Sequence, residues 1–95
     1  MITISKVTTP HGIAYMRRLC KHFVHKIPAN VDGSRGVIQF PFGVCTIECD
    51  DNQMVMRVEV ENADDVDRAE RVVGDHLVRM ANKDEPVVSW VRGDG

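Results

Sequence analysis

Apolar and polar residues alternate most cleanly between Gln53 and Glu61, where Met54, Met56, Val58 and Val60 interleave with Val55, Arg57, Glu59 and Glu61. A period of two puts the first set on a buried face and the second on a mostly polar one, which predicts a strand covered on one side only. Ile2 to Thr8 reads as an earlier strand, with Ile2 and Ile4 on one face. Gly36 to Phe40 and Val44 to Cys49 read as two more, joined by the turn Pro41-Phe42-Gly43, and Asp50-Asp51-Asn52 turns the chain into the clearest strand. Asn30 to Gly36 is expected to be a loop, because Asn, Asp, Gly and Ser crowd into it. Pro86 to Val91 is expected to form a last strand, and Arg92 to Gly95 to fray.

In two segments the period changes to that of a helix. Ile13, Met16, Leu19, Cys20, Phe23 and Ile27 recur at steps of three and four, the spacing of a buried helical stripe. Thr9-Pro10 predicts the start, a hydroxyl cap before a proline in the first turn, and Pro28 predicts the stop. The second helix is expected to begin at the cap Asn62. Asp64 and Asp65 sit in its first turn, where the helix dipole favours negative charge. Val66, Ala69, Val73, Leu77 and Met80 would be its buried stripe, and Asn82-Lys83 its end.

The expected order is β-α-β-β-β-α-β in a single domain over residues 1–95. Strands joined by tight turns make an antiparallel sheet. Two amphipathic helices on one face of it give the α+β class, a two-layer sandwich. The other face would carry Thr46, Glu48, Val55, Arg57 and Glu59. A face or edge left open in this way leads us to expect a homodimer, the commonest symmetric assembly.

Composition narrows the partners. A net charge of −2 supplies no bulk field toward nucleic acid or acidic lipid, and 5% aromatic residues are too few for a base-stacking platform. No apolar run approaches the roughly 20 residues that cross a bilayer, and the start lacks the pattern of a signal peptide. Three cysteines, without paired metal-knuckle spacing, point to a reducing compartment rather than a disulfide framework. The expectation is therefore a cytoplasmic protein that engages neither nucleic acid nor membrane.

The reactive groups concentrate in Leu19-Cys20-Lys21-His22-Phe23-Val24-His25-Lys26. A regular helix would turn His22 and His25 away from the buried stripe that holds Cys20. The two imidazoles are neighbours at a spacing of three. Zinc would want a third and usually a fourth ligand. Arg17, Arg18, Lys21 and Lys26 around the pair suit an anion better than a cation, so no metal and no cofactor is expected. His76, at the edge of the second stripe, lies within a turn of Asp75 and Arg79, and could share a cleft with His25 or Arg35 if the helices pack side by side. Cys45 and Cys49 share a strand face, about 13 Å apart at strand rise, and read as small buried hydrophobes. No catalytic set can be assembled from these residues.

The run Cys20-Lys21-His22-Phe23-Val24-His25-Lys26, then Arg35-Gly36 before a strand, then Asp75-His76-Leu77-Val78-Arg79 resembles the bacterial domain of unknown function 2218 family over nearly the whole chain. Met80 stands where that family usually has an aromatic, and Lys83 near its usual arginine. The resemblance implies a small stand-alone bacterial protein with no established activity. Members joined to siderophore-interacting flavin-binding proteins imply, by association, a link to iron. Its motif marks Cys20, Lys21, His22, His25, Lys26, Arg35, Asp75, His76 and Arg79. The function expected is a non-catalytic module for a small anionic or iron-related ligand at His22, His25, Lys21, Lys26, Arg35, His76 and Arg79. The alternative is an interaction domain, and an enzyme is the third and weakest reading.

Overall fold

A computed structural model describes residues 1–81 and 84–93. Its elements are β1 (Ile2–Thr8), α1 (Gly12–Phe23), β2 (Ala29–Asp32), β3 (Arg35–Phe40), β4 (Gly43–Cys49), β5 (Gln53–Val60), a 3-10 turn (Ala63–Asp65), α2 (Val66–Met80) and β6 (Val91–Gly93). Among the described residues the strands form one antiparallel sheet in the order β2-β3-β4-β5-β1-β6. The chain is thus an α+β protein, as its periodicity implies.

The register fixes what each face shows. Met54, Met56, Val58 and Val60 are fully or almost fully buried and share the inner face with Ile38, Cys45, Ile47 and Val7. Val58 lies opposite Cys45 on one side and Thr3 on the other. Both helices cover this face with the buried residues Tyr15, Met16, Leu19 and Cys20 of α1 and Val66, Ala69, Val73 and Leu77 of α2. Ile2 and Ile4 do share a face, but it is the outer one, opposite Glu59 and Arg57. The inner positions of β1 are Thr3, Ser5 and Val7, all buried.

Several boundaries depart from the expectation. Segment 30–36 is not a loop: 29–32 pairs with β3 around the two-residue connection Gly33-Ser34. Gly33 has φ +60, the positive-φ first position that two-residue hairpins favour. Helix α1 starts at Gly12, and Thr9 does not cap it. The Thr9 hydroxyl instead accepts the His11 N–H at 3.0 Å in a local turn. The regular helix stops at Phe23 rather than Ile27; residues 24–26 continue as turns, with the Lys26 and Ile27 N–H groups both donating to the Phe23 carbonyl at 2.9 Å before Pro28. Asn62 does cap, but it caps the 3-10 turn, accepting the Asp64 N–H at 3.0 Å before α2 begins at Val66. The expected end at Asn82-Lys83 lies outside the described residues.

The C-terminal segment differs most. Residues 86–90 form no strand; they run back over α2, close enough that a Cβ on Gly74 would meet Trp90 Nε1 at 3.5 Å and Val88 Cγ1 at 3.6 Å. Only Val91–Gly93 pairs, against β1. Arg92, expected to fray, is clamped. Its Nε donates to Glu70 Oε2 at 3.0 Å, one terminal nitrogen donates to Glu70 Oε1 at 2.8 Å, and the same nitrogen pairs with Asp67. The Thr3 hydroxyl donates to the same Glu70 at 2.7 Å, which satisfies a buried polar group and ties β1, α2 and β6 together. Asp94 and Gly95 lie outside the described residues.

Candidate functional site

The buried stripe of α1 is rotated from the one expected. Tyr15 is in it and Ile13, at 37% exposure, is not. The rotation carries Arg18 and His22 from the expected solvent side to the edge that faces α2. There Arg18 donates to the Met80 carbonyl at 3.3 Å, and the Tyr15 hydroxyl donates to Asp84. That carboxylate raises the Tyr15 pKa, so the phenol stays protonated.

At this seam the rings of His22 and His76 lie 5.0 Å apart, centre to centre, at an angle of 48°. Phe23 packs against both, 5.0 Å from His22 and 4.8 Å from His76. Phe40 follows at 4.9 Å from Phe23, then Phe42 at 4.9 Å from Phe40 and nearly parallel to it, with the Arg68 guanidinium 5.3 Å above Phe42. A line of rings thus runs from the histidine pair to a cation–π contact. His76 Nδ1 lies 2.6 Å from the Val72 carbonyl oxygen. A carbonyl only accepts, so Nδ1 carries the proton and Nε2 keeps its lone pair in the neutral ring.

The opposite edge of α1 faces β2. Arg17, Cys20, Lys21 and Val24, on successive turns, line a groove with Ala29, Asn30, Val31 and Gly33, of about 460 Å³. Arg17 and Lys21 supply two positive charges, and no carboxylate is among the lining residues. Burial raises the Cys20 pKa, which keeps it a neutral thiol. Cys45 is pushed up to about 12 and Cys49 to about 11, chiefly by burial as well. All three cysteines are free.

The expected site residues therefore divide. His22 and His76 meet at the α1–α2 seam; Lys21 lines the α1–β2 groove. His25 and Lys26 lie in the exposed turn after α1. Arg35 does not join His76; it sits on the outer sheet face beside Glu48, 3.8 Å away, and lines a hollow of about 400 Å³ with Ser34, Cys49 and Asp50. Arg79 is exposed on α2. Among the described residues, no three His, Cys, Asp or Glu side chains gather as a metal centre would require. Two residues of the groove lie outside the expected set. Arg17 reads in the sequence as background charge, yet its spacing of four from Lys21 puts both on one helix edge. Asn30, expected in a loop, reaches the groove as part of β2, but the alternation of the strand turns its side chain to the outer sheet face with Val37 and Thr46.

Comparison with known proteins agrees with this architecture. The profile of a bacterial family described as "Uncharacterized protein conserved in bacteria (DUF2218)" matches residues 4–91, and the chain belongs to that family. Within the solved structures it is similar to PA4090 from Pseudomonas aeruginosa, determined by NMR. The two are 30% identical, with 99% of this chain and 98% of the other covered, and a TM-score of 0.81. No curated protein matches the chain. No helix among the described residues is long and apolar enough to cross a membrane.

Proposed function

We propose that this protein is a non-catalytic binding module that takes a small anionic ligand in the groove between α1 and β2. The lining of that groove supports the reading: Arg17 and Lys21 stand beside the apolar Val24, Ala29 and Val31, with no carboxylate among the lining residues. Two fixed cations attract an anion, and their hydrogen bonds to it are charge-assisted, the stronger kind. The guanidinium of Arg17 offers a planar fork suited to a carboxylate. Cys20 at the groove is held neutral by burial and is a poor nucleophile, which favours binding over chemistry. Free thiols suit a reducing cytoplasm. The association with iron selects the probes: citrate as a plain polycarboxylate, and ferric citrate as its iron chelate.

Calorimetric titration of the full chain with each probe tests the reading. We expect binding that the paired change Arg17→Ala, Lys21→Ala weakens about tenfold or more. Its stability should shift by no more than about 0.5 kcal/mol, as is usual for exposed positions. Equal affinity in wild type and variant, or no binding of either probe, would remove the groove as the site. Preference for ferric citrate over citrate would attach the module to iron.

A second reading, interaction through the outer sheet face, is favoured by one observation. Ile2, Ile4 and Val91 line an apolar furrow of about 460 Å³ between Lys6 and Arg57, and Val91 is 74% exposed. Such a surface on a one-sided sheet suits a second copy of the chain.

A further inference from the structure

The seam between α1 and α2 carries chemistry separate from the groove, since it uses the other edge of α1. His22 and His76 come from different helices, with ring centres 5.0 Å apart and ring planes 48° apart. That tilt is not a stack. The separation of the two rings, rather than their tilt, is what two imidazoles on one ion would need. A tetrahedral ion binds imidazole nitrogen at about 2.0–2.1 Å, and a ring centre lies about 1.1 Å behind its nitrogen; at an angle of about 109° the two centres fall about 5 Å apart.

The surroundings fit the same purpose. The His76 Nδ1–H is fixed on the Val72 carbonyl at 2.6 Å, which leaves Nε2 as the free donor atom. A backbone carbonyl behind the far nitrogen is the usual support of a metal-binding histidine, because it sets both tautomer and ring orientation. Phe23 packs within 5.0 Å of both ring centres and restrains them together. Arg18, on the same edge of α1, directs its guanidinium to the Met80 carbonyl at 3.3 Å.

We infer that His22 and His76 form a two-imidazole site for a late first-row divalent cation such as Zn²⁺. No third protein ligand joins them among the described residues, so a bound ion keeps two positions for water or an outside donor. The site is an exchangeable one rather than a structural centre. It rests on the separation of the two rings and the fixed tautomer of His76, and does not depend on the anion groove.

Zinc titrated into the full chain by calorimetry provides the test. One ion per chain is expected. His22→Ala and His76→Ala should each weaken it about tenfold or more, while His11→Ala and His25→Ala leave it unchanged. A loss on His25→Ala that matches the loss on His22→Ala, or none on His76→Ala, would overturn the assignment. Imidazole ¹⁵N shifts of the wild type test it without any variant. Zinc should move Nε2 of His76 and one nitrogen of His22, while His76 Nδ1 keeps its proton. Unmoved resonances at both rings would overturn it equally. Citrate binding that fails while zinc binding succeeds, or the reverse, separates this site from the groove.

Discussion

At the scale of single residues, the tightest constraint is Gly43, at the start of β4. A Cβ there would fall onto the Glu59 carbonyl oxygen and within 2.9 Å of Val60 Cα. Backbone cannot swing aside as a flexible side-chain end can. Gly43→Ala should therefore separate β4 from β5 at their paired ends, and overpacking of this kind costs about 1–3 kcal/mol. For a domain of this size, each kcal/mol lowers the melting temperature by roughly 4–8 °C. A thermal melt is the check, and an unchanged midpoint would contradict the close approach. Gly43 was legible in sequence only as part of the turn Pro41-Phe42-Gly43; the reason for glycine there is the neighbouring strand.

At the scale of elements, β6 is three residues long and entirely exposed, so its few ladder bonds do little to hold it. Arg92 supplies the rest by clamping onto Glu70 and Asp67 of α2. The hydrogen bond from Arg92 holds the Glu70 carboxyl below its ordinary value of 4.5, assisted by Thr3 and opposed by partial burial. A carboxyl with a depressed pKa stabilises the fold above its unfolded value. That contribution fades as pH falls from 4.5 through the folded value. Arg92→Gln should lower stability near neutral pH, modestly, as exposed ion pairs do. The gap to wild type should narrow as the pH drops below 4.5. Urea melts at several pH values measure this, and a gap constant with pH would contradict it.

At the scale of the whole molecule, the asymmetry of the sheet is the dominant fact. One face is sealed by two helices. The other presents Ile4, Val55 and Val91 among the ion pairs Arg35–Glu48 and Arg57–Glu59. The apolar furrow passes into a smaller hollow of about 170 Å³ through the shared residues Ile4 and Arg57. A two-fold partner laid across this face would bury the valines and let opposite charges meet. Sedimentation at increasing concentration should show dimer in the wild type, and Val91→Glu should shift it to monomer without changing the melt. A protein that stays monomeric throughout removes this assembly.

The sequence by itself determined the α+β class, the long strands and the two amphipathic helices. Each of these rests on periodicity, which is a local property of backbone geometry: two for Met54 to Val60, three to four for Val66 to Met80. Tertiary structure decided what periodicity cannot reach. The short strand β2 has turn-forming residues and exists because β3 offers it a ladder. The stripe of α1 turned toward Tyr15 because α2 and the sheet together set which edge is covered, and that rotation moved His22 to the seam. The pairing of His22 with His76 spans 54 positions of sequence, a juxtaposition no local pattern encodes. Spacing along one helix favoured His25 as the partner of His22. Packing between two helices favours His76, because the orientation of a helix about its own axis is fixed by everything it touches.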